Sequence, residues 1–81
     1  MRGRKAKELT IFSPDISELE RIAHSDMSPW YQVRRARIVL GSADGQRRED
    51  LASQFQCEES TIWRTCQRYR HDGLGGLLGG L

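Results

Sequence analysis

The sequence predicts an all-α domain whose last two long helices form a helix-turn-helix. Three observations carry this. The stretch 47–69 reads RREDLASQFQCEESTIWRTCQRY: a short helix to about Gln54, a break through Phe55, Gln56 and Cys57, and a second helix from about Glu58. Leu51, Ala52, Phe55, Cys57 and Ile62 have the spacing of the inner positions of such a pair. Upstream, the Ser-Pro pairs at 13–14 and 28–29 each open an apolar stripe of helical period.

The chain begins with MRGRKAK, a basic stretch without apolar periodicity, and residues 1–8 read as a flexible tail. Such a tail serves equally well as an arm along DNA phosphates or as a solubilising leader. Leu9, Ile11 and Phe12 follow as a short extended entry segment. Ser13 as N-cap and Pro14 at the first helical position start a helix over 14–25, with Asp15 favourable to the helix dipole. Its inner stripe is Ile16, Leu19, Ile22 and Ala23, and its acidic outer face points away from any nucleic acid.

Ser28-Pro29 repeats the signal for a helix over 29–44 that stops at Gly45. Val33, Ala36, Leu40 and Ala43 mark its inner face, with Val39 beside them. Ile38 points nearly the other way and requires a second contact, assigned to the first helix. Trp30 is expected to cover one end of the core. Arg34 and Arg35 fall outward and Arg37 at the margin, suited to phosphates or to acids of the first helix, the latter favoured for at least one. Gly41 inside a helix costs up to about 1 kcal/mol relative to Ala unless it permits close packing.

The helix-turn-helix then occupies 47–54 and 58–72, ending at Gly73. Ala52 falls where its two helices cross, and a small side chain lets their backbones approach. At 3.6 residues per turn, Ile62, Cys66 and Tyr69 form one inner stripe of the second helix. The opposite side carries Ser60, Arg64, Gln67 and His71, flanked by Trp63 and Arg68. Arg pairs bidentately with guanine and Gln with adenine, so this strip suits the major groove. Ser60, Trp63, Arg64 and Gln67 are the candidates for base contact. Arg47, Arg48, Thr61 and Arg68 are the candidates for phosphate, with Ser60 and Thr61 near a helix start able to offer hydroxyls or backbone N–H groups. The bland alternative is an ordinary solvated face, and the Glu59-to-Arg70 polarity alone complements the helix dipole. The seven residues Leu19, Ile22, Val33, Leu40, Leu51, Phe55 and Ile62 are expected in the core.

Composition bounds the function. Eighty-one residues make one small domain, with little room for a buried catalytic apparatus. The net charge is only +2, but residues 1–7 hold four bases and no acid, and residues 8–31 five acids and one Arg. All eight bases of residues 32–81 are Arg, which suits phosphate forks and guanine edges. Cys57 and Cys66 lie nine apart and form no zinc pattern with His24 and His71, so both read as small buried hydrophobes. No metal site, cofactor, small-molecule ligand, membrane span or signal peptide is indicated. No nucleophile–base pair or phosphate loop supports an enzyme. The closing GLGGLLGGL holds five glycines and four leucines; Leu74 and Leu77 can fold back on the core, while residues 79–81 read as the start of a linker leading out of a domain over 9–78.

VRRARIVL, RREDLASQF and STIWRTCQRYRHDGLGGLL together resemble the N-terminal DNA-binding domain of insertion-sequence transposases of the mariner superfamily, over about residues 9–78. The resemblance implies a homeodomain-like helix-turn-helix bundle with an extra N-terminal helix, binding the terminal inverted repeats of its element. It also implies a following catalytic domain with metal-binding acidic residues, to which nothing in this chain corresponds. Gln56 stands where the family usually has Gly, Glu58 where it caps with Ser or Thr, and Thr65 where it often has a large apolar residue. If Trp63 takes that inner place, Arg64 and Gln67 move toward one flank. The expected partner is double-stranded DNA in the cytoplasm, with a second copy on DNA left open. A stand-alone helix-turn-helix regulator and a small helical protein-interaction domain are the rival readings.

Overall fold

A computed structural model describes residues 9–78. The tail over 1–8 and the linker start over 79–81 lie outside the described residues. The order is α1 (Ser13–Ala23), α2 (Trp30–Ala43), α3 (Arg48–Phe55), α4 (Glu59–Asp72) and α5 (Leu74–Leu78), with no strand among the described residues. The four expected helices are present, and their ends differ by a residue or two.

Neither expected serine cap forms. Phe12 is the N-cap of α1 and Pro29 that of α2, with no side-chain hydrogen bond at either. The connection between them is organised instead by Ser25, whose Oγ accepts the backbone N–H groups of Met27 at 3.0 Å and Ser28 at 3.1 Å. Ser28 is thereby held in the turn rather than at a helix start.

The other ends follow the sequence signals. α2 closes on Gly45 at φ 96°, with Gln46 N–H donating to Gly41 O and Gly45 N–H to Ser42 O. These two bonds satisfy carbonyls that the helix end leaves open. α3 closes in the same way on Gln56 at φ 55°, through Cys57 N–H to Ala52 O and Gln56 N–H to Ser53 O. The turn keeps the geometry that glycine would favour and places a glutamine in it.

α2 is the central element, in contact with each of the other four. Gly41 permits its crossing with α3: a Cβ there would stand 2.8 Å from Leu51 Cδ2. The core gathers Leu9, Leu19, Ile22, Ala36, Ile38, Val39, Leu51, Ala52, Ile62, Cys66, Tyr69 and Leu77, with Phe55, Cys57 and Leu40 partly buried against it. Several expectations are corrected here. Ile16 is exposed and Leu40 only half-buried, because both line an open groove of about 590 Å³ beside Leu9 and Ile11. Val33 is half-buried, and Ile38 and Val39 carry the burial on α2 instead. Ile38 is fully buried and also lines a cleft with Thr61 and Thr65 of α4. Trp30 is 70% exposed and covers no core. Cys57 is half-buried, while Cys66 is buried with its Sγ 3.2 Å from Ser42 Oγ.

Leu74–Leu78, expected to be a fold-back segment at a linker, is a helical turn docked on the bundle. Its sequence has low helix propensity, so tertiary contacts hold it. Leu77 is fully buried, and two α2 side chains take its last carbonyls: Arg35 Nη1 donates to Leu77 O and Gln32 Nε2 to Leu78 O, both at 3.0 Å. Gly76 lets the turn approach α4, since a Cβ there would stand 2.7 Å from Arg68 O. Arg35 and Arg37 therefore find carbonyls and not acids: Arg37 Nε donates to Ala23 O at the end of α1.

Candidate nucleic-acid interface

Four inward residues set the rotation of α4. Ile62, Thr65, Cys66 and Tyr69 are all buried, at three- and four-residue intervals. Thr65 fills the inner place that the resemblance associates with a large apolar residue, and its hydroxyl donates to Thr61 O at 2.9 Å, which satisfies it off solvent. Trp63 is 48% exposed and lies outside the core. The outer strip is accordingly Ser60, Arg64 and His71, exposed, with Gln67 half-buried, flanked by Trp63 and Arg68. All four base candidates thus lie on accessible positions of one helix.

A longer-range contact, invisible in the helical periodicity, braces this rotation. Tyr69 Oη donates to Asp15 Oδ2 at 2.6 Å and accepts the Phe12 backbone N–H at 3.0 Å. Burial and the Asp15 bond raise the Tyr69 pKa, against a smaller opposing effect of the Phe12 N–H. Asp15, assigned to the α1 dipole from its position alone, thereby ties the start of α1 to the inner side of α4. The acidic outer face of α1, with Glu18 paired to Arg21, carries no part of the strip.

The phosphate candidates are less uniform. Arg68 is exposed and Thr61 half-buried, both beside the strip. Arg47 is the N-cap of α3 and pairs with Glu49 at 3.5 Å on the surface, a weak and screened contact. Arg48 is half-buried with its Nε shielded from solvent. Ser60 Oγ donates to Glu58 Oε1 at 3.3 Å, so the α4 N-cap residue engages the first base candidate while itself making no side-chain cap bond.

Sequence reasoning missed a second basic feature. Between the start of α2 and the middle of α4 lies a cleft of about 280 Å³, lined by Trp30, Tyr31, Arg34, Arg35, Ile38 and α4 residues Thr61, Arg64, Thr65 and Arg68. The RRAR run, read as outward arginines, contains the signal, but only the packing of α2 against α4 brings Arg34 near Arg64 and Arg68.

A short helix, a left-handed turn and a second helix with its rotation locked and a polar strip outward define the helix-turn-helix class, whose second helix is the DNA-reading element. Residues 31–78, more than half of the chain, match the family described as the homeodomain-like domain, and the chain belongs to that family. No curated protein and no solved structure matches it. The family match starts at α2, so α1 is an addition before the matched region. Among the described residues no helix is long and apolar enough to cross a membrane.

Proposed function

We propose that this domain binds double-stranded DNA sequence-specifically through α4, as the non-catalytic DNA-binding module of an insertion-sequence transposase of the mariner superfamily. The observation that carries the binding reading is the locked rotation of α4, which leaves Ser60, Trp63, Arg64 and Gln67 on accessible positions while Ile62, Thr65, Cys66 and Tyr69 are buried. Arg64 and Gln67 supply the two side chains best matched to guanine and adenine edges. Arg47, Arg48, Thr61 and Arg68 are assigned to flanking phosphates. The transposase assignment, with terminal inverted repeats as target, is supported by the RRARIVL segment of α2 and the Gly-Leu-Gly-Gly-Leu-Leu run that builds α5.

Selection of bound duplexes from a randomised pool tests both levels. A recovered motif that recurs, inverted, at the two ends of the element encoding the chain supports the transposase reading. A palindrome with half-sites about one helical turn, roughly 34–36 Å, apart would replace it with a stand-alone regulator acting as a dimer. Absence of any salt-sensitive binding to duplex DNA would leave a helical protein-interaction domain.

A further inference from the structure

The cleft between α2 and α4 has the chemistry of an anion site. Thr61, Arg64, Thr65 and Arg68 stand at successive positions of one α4 face, and Trp30, Arg34 and Ile38 at four-residue steps on α2. Among the described residues no carboxylate lines the cleft. Its volume of about 280 Å³ compares with roughly 30 Å³ for one water, so a solvated phosphate group has room.

The two neighbouring arginines of α2 differ in what they do. Arg35 is committed to the fold: it lies 5.1 Å from the Tyr31 ring centroid and donates to Leu77 O. Arg34 has no such commitment. Its guanidinium stands 5.7 Å from the Trp30 ring centroid, and its Nε is buried without a hydrogen-bond partner. The Arg34 side chain lines the cleft, and the planar fork of its guanidinium suits a phosphate oxygen pair through charge-assisted hydrogen bonds.

We propose that this cleft holds one phosphodiester of the DNA backbone, with Arg34 as its central donor and Arg68 beside it. This rests on the reading of α4 as the DNA-contacting helix. The cleft flanks the outer strip and shares Arg64 with it, so a backbone running past the strip lies within reach of the start of α2. Arg34 then positions the duplex against α4 and reads no base, which adds α2 to a contact surface otherwise built from α3 and α4.

The test uses the whole chain with a random-sequence duplex of roughly 20 base pairs, about two helical turns. Wild type, Arg34→Gln and Arg34→Lys are titrated at several salt concentrations, with thermal melts confirming the fold of each. Arg34→Gln is expected to bind about tenfold more weakly, equally on random and selected DNA, with a salt slope smaller by about one unit. Arg34→Lys, which keeps the charge, is expected to restore the slope. If wild type binds and Arg34→Gln keeps its affinity and slope, the cleft assignment falls and the α4 reading stands; if wild type binds no duplex at low salt, both fall. The Arg34 Nε–Hε resonance gives a readout independent of affinity. It is expected to move on adding duplex and to stay in place with inorganic phosphate at matched ionic strength. Movement with inorganic phosphate and none with duplex would reassign the cleft to a free anion. Should Arg34→Gln fail to fold, this resonance decides the question on the wild-type chain.

Discussion

Arg64 is the residue where the proposed function is most exposed to test. It is exposed in the first half of α4 and makes no ion pair among the described residues, so its removal leaves no buried charge behind. Arg64→Ala is expected to cost about 1–3 kcal/mol on the selected DNA and to relax preference at one base pair, with an unchanged melt. Equal loss on selected and random DNA would mark Arg64 as a phosphate contact. Tyr69 does the opposite kind of work, inside the fold. Tyr69→Phe strips a partner from both Asp15 and the Phe12 N–H, an expected loss of about 1–2 kcal/mol at neutral pH. Because its pKa is raised in the folded state, the protonated phenol favours folding. That contribution is whole below the ordinary tyrosine value near 10 and is lost as pH climbs through the higher folded value. Melting temperatures measured from pH 8 to about pH 11 should therefore fall more steeply in wild type than in Tyr69→Phe. Parallel curves would show that burial and the Asp15 bond do not raise the Tyr69 pKa in solution.

At the scale of elements, the turn between α3 and α4 carries a cost the chain could shed. Gln56 occupies a left-handed conformation at φ 55°, ψ 50°, where a Cβ is penalised by roughly 1–2 kcal/mol and glycine is not. Glycine loses part of this advantage through its freer unfolded state. Gln56→Gly is expected to stabilise the domain by about 0.5–1 kcal/mol in a denaturant titration, with no change in DNA affinity because Gln56 is outside the strip. Destabilisation would mean that the glutamine side chain makes a contact that offsets its backbone strain. α5 shows the reverse balance. A Gly-rich pentamer of poor intrinsic helicity is held by one fully buried leucine and by two α2 side chains on its last carbonyls. Here packing and capping decide what propensity would not.

For the whole molecule, the question is whether the family region suffices. It begins at residue 31, yet α1 and the segment before it contribute Leu9, Leu19, Ile22 and Ala23 to the core, and Asp15 to Tyr69. Each large apolar side chain among them is worth about 1.5–3 kcal/mol, and a small domain's entire stability is of order 5–15 kcal/mol. A chain starting at residue 29 is therefore expected to lose its cooperative thermal transition by circular dichroism. A sharp melt from that fragment would show that α2–α5 forms a self-sufficient core and that α1 is dispensable to it.

The sequence by itself determined the four main helices, the break through residues 55–57, the glycine stops at Gly45 and Gly73, and the inner stripe of α4. These are local: period, cap chemistry and backbone conformation act over a few residues and can be read without knowing what packs where. The same logic made the outer strip legible, since positions opposite a buried stripe are fixed by helix geometry. It failed where two separated segments decide the outcome. Ser13 and Ser28 have cap chemistry but are displaced by the Phe12 and Pro29 starts. Leu40 and Ile16 have the right period, but the groove beside the entry segment leaves both partly exposed. The inward place of Thr65 over Trp63, the docking of α5, the Tyr69–Asp15 tie and the Arg34 cleft all depend on which helix lies against which. Only the tertiary structure decided these, because burial and long-range hydrogen bonding are properties of pairs of elements, and periodicity describes one element at a time.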